Sequence, residues 1–537
     1  MADWNYGDIL DAVAAVTPHD RPALIHGERT ISWGAFGCRS NNLARAMLAN
    51  GAEPGDKIGF YMRNCPEYSE GIAAAFKARL THVNVNFRYV AAELIYLLDN
   101  ADAVVVIYAA EFADQVAQIR DQLPLVQQWI EVADEAAAAI DSLNYADLAD
   151  SGDGTPLNIE RSPDDLLFLY TGGTTGMPKG VMWRHDDLWK VLGAGGNPRL
   201  DIPPSSDLPA YIERLGREPA PVNLPLPPIM HGTGLLSAIG AMIHGGTCVT
   251  LTSPSFVASE ALQAIAAHRV TACTIVGDAF ARPMLDTLDA EQGRFDISSL
   301  RLVSSSGVMW TTEVKSGLLR HNPELSLVDG FSSSEAIGLG SSVMTRSQTI
   351  DVASFTLGPS CQVFTEDHQR VEPGSDESGM VAVTGFLPVG YYKYEQKTAA
   401  TFPVIDGVRY SIPGDWVRVE ADGTLTLLGR GSNCINTAGE KVFPEEVEEI
   451  LKSHELISDA LVVGLPDPKW GQAITAVVQP MPGAQPDLED VRQFARRSLA
   501  GYKVPKQILL KTDLQRAPNG KADYALIRDF ATTALSD

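Results

Sequence analysis

Strand-like and helix-like patterns take turns through the first half of this 537-residue chain, and that alternation limits the folds open to it. The run SNNLARAMLANG, from Ser40 to Gly51, has apolar residues at helical spacing and stops at a glycine. DKIGFYM, from Asp56 to Met62, then reads as a buried strand. In AAELIYLLDNADAVVVIY a helix ending near Asp99 and Asn100 leads into a strand from Val104 to Tyr108. Strands joined through helices need crossover connections, which predicts an α/β fold with a mostly parallel sheet. At roughly 150 residues per domain, the length predicts about three to four folding units.

Between Pro219 and Ser259 there is no Asp, Glu, Lys or Arg. The most apolar part, GTGLLSAIGAMIHGGTCVTL, is broken by Gly245-Gly246 and carries His244, so it falls short of the roughly 20 apolar residues of a membrane span. It reads instead as a buried helix that starts near Gly234, ends at the glycine pair and hands over to a strand from Thr247 to Thr252. Elsewhere charge is plentiful and mostly acidic. The formal net charge of −25 disfavours nucleic acid and anionic membrane surfaces as partners. The six cysteines, Cys38, Cys65, Cys248, Cys273, Cys361 and Cys434, stand singly, without the close pairs of a zinc or CxxC site. The N-terminal MADWNYGDILDAV has acids where a secretory signal would be basic. Both features predict a cytoplasmic protein without an integral membrane segment.

The character changes near residue 430. The strand-like TLTLLGR ends at Arg430 and is followed by the small-residue stretch GSNCINTAGEKVFPEE. A domain boundary there gives residues 1–429 and 430–537. PEEVEEIL then places Pro444 and four glutamates in the first turn of a helix, with Val447, Ile450 and Leu451 on one face. Strands DALVVGL and AITAVVQ follow, and then a helix from Asp487 to Leu499, opened by an acidic cap, in a compact α+β unit. From Val491 to Lys521 the basic residues Arg492, Arg496, Arg497, Lys503, Lys506, Lys511, Arg516 and Lys521 face one acid, Asp513. Such an excess attracts phosphates.

The sharpest chemical signal is Tyr170-Thr171-Gly172-Gly173-Thr174-Thr175-Gly176-Met177-Pro178-Lys179-Gly180, just after the strand-like LLFLY. Its glycines let backbone bend closely around a phosphate, the threonine hydroxyls and amides donate hydrogen bonds, and Lys179 adds charge. An ordinary P-loop would end in Gly-Lys-Ser/Thr at a helix start, whereas Pro178-Lys179-Gly180 stands here. Farther on, Ser332-Ser333-Ser334-Glu335 reads, on residue chemistry alone, as a helix N-cap with its acid. Asp278 reads either as a cap on the following helix or as a substrate contact.

Together these motifs resemble the adenylate-forming superfamily, which includes acyl-CoA synthetases, firefly-type luciferases and peptide-synthetase adenylation domains. The resemblance runs through nearly the whole chain. It implies a large N-terminal composite domain with mostly parallel sheets and a small β-barrel-like part, followed by a small mobile α+β domain. It also implies two half-reactions: a carboxylate attacks the α-phosphate of ATP and releases pyrophosphate, and a thiol then displaces AMP. By the same resemblance Thr171, Gly172, Gly173, Thr174, Thr175, Gly176 and Lys179 would cradle phosphates. In Gly330-Phe331-Ser332-Ser333-Ser334-Glu335, Ser334 would bond the α-phosphate, Glu335 would hold Mg²⁺ and Phe331 would lie against adenine. Ser306 and Gly307 fall in the adenine-binding turn. Asp415 would accept the ribose hydroxyls, Arg430 would contact ribose and phosphate, and His231 would gate or neighbour the carboxylate. Lys521, in Arg516-Ala517-Pro518-Asn519-Gly520-Lys521, would reach the α-phosphate and carboxylate, while Gly439 and Lys441 would line the pantetheine tunnel of CoA. Tyr391 and Lys397 fit a motif expected to be structural.

Within the superfamily, NVNFRY, GVMWRHDDLW, GRGSNCINTAGEKVFPEEVE and GYKVPK look like bacterial fatty-acyl-CoA synthetases, including those acting on steroid side chains. Ser432 and Asn436, at the hinge, belong to that pattern. The partners implied are a hydrophobic carboxylic acid, ATP and CoA, with self-association as a homodimer allowed. Loading of a carrier protein, a catalytically silent nucleotide or acyl sensor, and a luciferase-like oxidation stay open at this point.

Overall fold

The computed structural model describes residues 3–133, 141–171, 177–196, 202–217, 219–308, 310–347, 354–430, 433, 435–437, 440–467, 471–499, 501–516 and 522–536. The chain forms two compact units, one of residues 1–352 with 384–411 and one of residues 353–383 with 412–537.

The first unit holds two sheets. In one, Leu166–Thr171, Thr81–Asn84, Lys57–Tyr61, Ala103–Ala109, Gln128–Val132 and Leu143–Asn144 run parallel, with Lys179–Arg184 and Gly390–Tyr391 added antiparallel at one edge. The alternation read from the sequence is realised here: the helix Trp33–Ala49 precedes the strand Lys57–Tyr61, and the helix Ala91–Asn100 precedes Ala103–Ala109. Burial of Ile58, Phe60, Val105, Val106 and Ile107 on both faces accounts for their unbroken apolar runs.

The second sheet places Pro22–His26, Thr247–Thr250, Val222–Pro225, Ala272–Ile275, Leu302–Ser306 and Ser326–Ser333 side by side and parallel. Arg29–Ser32 pairs antiparallel with Pro22–His26, and Ala336–Met344 pairs antiparallel with Ser326–Ser333. The most apolar part of the uncharged stretch is the helix Gly232–Ile243 followed by Thr247–Thr250, as its glycine pair predicted. Gly245 takes a φ of +62° at the break, and the Gly246 carbonyl accepts from the buried Trp33 indole at 2.9 Å. No helix among the described residues is long and apolar enough to cross a membrane.

In the second unit, Ser354–Leu357, Thr424–Arg430, Asp415–Val419, Ser378–Thr384 and Cys361–Phe364 pair antiparallel. Its last part is an α+β layer: Ile457–Asp467, Gly471–Pro480 and Gln507–Leu510 with the helices Pro444–Lys452, Leu488–Ser498 and Tyr524–Ser536. Asp487 caps the helix Leu488–Ser498, accepting from the Glu489 and Asp490 amides. The four glutamates expected in the first turn of this helix do not share one environment. Glu445 and Glu446 occupy that turn, but Glu448 is buried, because the helix lays this face on the strand Ile457–Asp467.

Candidate active site

The carboxyl ends of parallel strands gather the residues singled out in the first unit, where an open α/β sheet normally binds ligands. Leu166–Thr171 and Lys179–Arg184 form a hairpin with Thr171 opposite Lys179 and Tyr170 opposite Gly180. Thr171 and Lys179 therefore stand at the mouth of the phosphate loop, and Gly172, Gly173, Thr174, Thr175 and Gly176 lie outside the described residues. A side chain at Gly180 would strike the Tyr170 ring at 2.7 Å, so only glycine fits that position. The Lys179 ammonium donates to the Met177 carbonyl at 3.3 Å and lies 5.2 Å from the centre of the Tyr394 ring. Tyr96 donates to the Pro178 carbonyl at 3.1 Å, and its oxygen is 2.6 Å from the Tyr394 hydroxyl. Desolvation and this neighbouring phenol push the Tyr96 hydroxyl well up, so it remains a neutral donor.

Ser334 and Glu335 occupy the tight turn between Ser326–Ser333 and Ala336–Met344. The helix N-cap expected from Ser-Ser-Ser-Glu alone is not what forms. Antiparallel pairing on both sides of the turn overrides the local capping preference, and the Ser332 hydroxyl accepts from the Gly338 amide at 3.0 Å. Three bonds fix the turn. The Trp183 indole donates to the Ser334 carbonyl at 2.9 Å, the buried Ser411 hydroxyl to the Glu335 carbonyl at 2.7 Å, and the Tyr391 hydroxyl to Glu335 Oε1 at 2.8 Å. Tyr391, expected to be structural, thus holds the carboxylate expected to bind metal. Glu335 is buried.

His231 takes the cap position of the helix Gly232–Ile243 without a side-chain cap bond. A Cβ on Gly232 would stand 3.8 Å from Leu169 and 3.9 Å from the Ser334 hydroxyl, which brings this helix start, the hairpin and the Ser334 turn into one corner. Two asparagines brace that corner. Asn84 donates to the carbonyls of Tyr170 (3.0 Å) and Met230 (2.7 Å) and accepts from the Tyr170 amide (2.7 Å). Asn64 donates to the Pro227 carbonyl (3.2 Å) and accepts from the Ile229 amide (2.7 Å).

Ser306 ends the strand Leu302–Ser306 directly across from Gly330, and Gly307 follows with a φ of +95°. Phe331 is the next residue on the neighbouring strand and is buried. Of the two readings of Asp278, the helix cap is not what forms. Gly277 holds the cap position, and Asp278 accepts from the Thr311 amide at 3.1 Å, which ties two helix starts together.

In the second unit Asp415 and Arg430 are direct cross-strand partners. Lys441 pairs with Asn436 on a short hairpin. The side chains of Arg430, Asn436 and Lys441, and all of Ser432, Gly439 and Lys521, lie outside the described residues. The chain enters the Lys521 segment at Arg516, which grips Asp459 through Nε at 2.5 Å and Nη2 at 2.9 Å. Three residues past Lys521, the Tyr524 hydroxyl donates to Glu448 at 3.3 Å. The other Glu448 oxygen accepts from the Val462 amide at 2.9 Å. Burial, with Glu445 adding repulsion, pushes the Glu448 carboxyl up to about 8. The basic run nearby is less free than its sequence suggests: Arg492 pairs with Glu489, Lys503 with Glu446 and Arg516 with Asp459.

The model of the AMP-binding enzyme family matches residues 10–387, and that of the AMP-binding enzyme C-terminal domain matches residues 446–521. The chain belongs to the AMP-binding enzyme family. This AMP-binding enzyme is 40% identical to a 3-oxocholest-4-en-26-oate–CoA ligase of Rhodococcus rhodochrous, across 98% of the chain and 95% of the relative. It is also 40% identical to a medium/long-chain-fatty-acid–CoA/3-oxocholest-4-en-26-oate–CoA ligase of Mycobacterium marinum, across 99% and 98%. Its fold matches the anthranilate CoA ligase AuaEII, solved in complex with anthranoyl-AMP, with a TM-score of 0.85 at 22% identity over 99% and 98% of the two chains. Sequence reasoning about this AMP-binding enzyme missed Asn84, Asn64 and Trp183 as site-building residues. Asn84 heads NVNFRY and Trp183 lies in GVMWRHDDLW, so a polar or aromatic residue inside an apolar strand was the available signal.

Proposed function

We propose that the protein activates a hydrophobic carboxylic acid with ATP and passes the acyl group to CoA. The observation that carries this reading is the fixed Ser334–Glu335 turn beside the mouth of the phosphate loop. In the first step a carboxylate oxygen attacks the α-phosphorus, and the bond to the β-phosphate breaks as pyrophosphate leaves with its electron pair. The hydroxyls of Thr171 and Ser334 and the loop amides hydrogen-bond phosphate oxygens as charge builds up on them, and Lys521 neutralises the attacked phosphate. A single buried carboxylate, held by a neutral tyrosine, suits Mg²⁺, which takes one or two protein carboxylates and fills its shell with phosphate oxygens and water. Glu335 would hold that ion, which supplies charge stabilisation to the phosphates. Asp415 accepts the ribose hydroxyls, Arg430 contacts ribose and phosphate, and Phe331, Ser306 and Gly307 border adenine. His231 stands beside the acid's carboxylate. In the second step the CoA sulfur attacks the acyl carbon and AMP leaves, with Gly439 and Lys441 along the pantetheine path.

The small domain starts near residue 430 and turns between the two steps. The names of the relatives support a fatty acid or a steroid side-chain acid as substrate. The isolated cysteines support a cytoplasmic setting. Pyrophosphate release by purified protein, screened over short, medium and long fatty acids, aryl acids and steroid carboxylates with and without CoA, tests the reading. Acid-dependent release with acyl-CoA formed is expected. Acyl-adenylate that CoA does not consume would point to a carrier protein, and no release with any acid would overturn the assignment.

A further inference from the structure

The helix Gly232–Ile243 packs on the strands Val222–Pro225, Thr247–Thr250 and Ala272–Ile275, and the two faces of that sheet differ in chemistry. The far face buries Leu224, Cys273, Ile275 and Val303 in an apolar core. The face toward the helix carries hydroxyls. Thr274 pairs in register with Ser304, and their oxygens are 3.1 Å apart. Thr274 also donates to the Ser237 hydroxyl on the covering helix at 2.9 Å. Asn223 donates to the Ser237 carbonyl at 3.4 Å, which orients its amide. Asn223 Oδ1 is then buried without a hydrogen-bond partner.

A hydroxyl row under a helix is costly unless something uses it, because each buried unpaired acceptor forfeits its hydration. Three hydroxyls carry three protons, and the two bonds among them use two. One donor is spare, next to one spare amide acceptor. Thr274, Ser304, Ser237 and Asn223 are all only partly buried as residues, although Asn223 Oδ1 itself is enclosed. Gly240, one turn beyond Ser237, has nothing within 4 Å of where a Cβ would stand. The row is also continuous with the proposed reaction centre. Ser306 lies two residues beyond Ser304 on the same strand face, and Ser237 lies five residues, or about 8 Å, into the helix that starts at Gly232.

We infer that this row reads a hydroxyl group on the acyl chain of the acid, roughly 8 Å from the carboxyl end. A hydroxyl can donate to Asn223 Oδ1 and accept the spare proton of the Ser237, Thr274 and Ser304 set. A ketone can only accept, and a plain alkyl chain leaves both groups unpaired. The inference rests on the acid-activating reading and deepens it to a class of substrate.

The test uses purified full-length enzyme and kcat/KM for pyrophosphate release with a straight-chain acid, a positional series of its monohydroxylated forms and the matching ketones. A hydroxyl at the matching position is expected to raise kcat/KM about tenfold over the plain acid, with the ketone between them. Thr274→Val and Ser237→Ala should each bring that ratio toward one, and Asn223→Ala should lower the hydroxyl preference to the level of the ketone. If Thr274→Val does not fold, Ser237→Ala, on a partly exposed helix face, carries the test. Plain acids turned over with no hydroxyl preference at any position, or a preference untouched by the variants, would overturn this inference alone. No release with any acid would overturn the adenylation reading and this inference with it.

Discussion

The two units secure their candidate catalytic groups by different physics. In the first, Glu335, the Ser334 carbonyl and the stem of the phosphate loop are held by neutral donors: the Tyr391 and Ser411 hydroxyls, the Trp183 indole and the Asn84 amide. In the second, the stems of the segment bearing Lys521 are held by an ion pair, Arg516 on Asp459, and by a titratable carboxyl, Glu448, under the Tyr524 hydroxyl. Neutral hydrogen bonds in a dry site keep their geometry across the working pH range. Charged pairs tolerate rearrangement and respond to pH. The first arrangement suits a preformed phosphate site, and the second suits a group needed in only one half-reaction.

The largest expected effect follows directly. Lys521→Ala should slow adenylate formation roughly 100- to 1,000-fold, since a positive charge is lost from the attacked phosphate, while CoA transfer from supplied acyl-AMP stays largely intact. Equal losses in both half-reactions, measured separately, would remove the distinction between the units. Next comes Asn84→Ala, which leaves three buried backbone groups unpaired and should cost about 3 kcal/mol in urea denaturation of the first unit. A change no larger than that of an ordinary surface substitution would show that the corner is held by packing instead. Tyr391→Phe should then weaken the dependence on Mg²⁺ about tenfold, read as the half-saturating concentration for pyrophosphate release at fixed ATP. An unchanged Mg²⁺ titration would mean that Tyr391 supports the turn without orienting the carboxylate.

What could be read from the sequence divides along a similar line. Helices and strands in the first half followed from local periodicity, and the break after Ile243 followed from Gly245-Gly246. The cross-strand pairing of Asp415 with Arg430 fits their spacing in the chain. What escaped was long-range: Asn84 reaches Tyr170 and Met230, and Tyr391 reaches Glu335, across intervals that no local pattern encodes. Ser332 to Glu335 misled in the instructive direction. Its residues favour a helix cap, and only the pairing of the flanking strands makes it a hairpin turn. The sequence places Glu448 with the other glutamates in the first helical turn, and only the strand packed over the helix buries it.

Glu448 also supplies the smallest effect and the one that most sharpens the contrast. Its carboxyl faces Glu445 and Lys452 from its own helix, Arg516 from the stem, Tyr524 from the last helix and Asp459 from the adjoining strand. Folding raises its pKa from 4.5 to about 8. Between those values the folded state therefore binds more protons than the unfolded state, and stability falls as pH rises until it levels off above about 8. Glu448→Gln keeps an oxygen to accept from the Val462 amide and removes the titration. The variant should lose the decline in urea midpoint between mildly acidic and mildly alkaline pH that the wild type shows, whereas Tyr391→Phe should keep it. A decline of equal slope in wild type and Glu448→Gln would place the pH sensitivity elsewhere and leave the stem of the Lys521 segment as electrically quiet as the Glu335 turn.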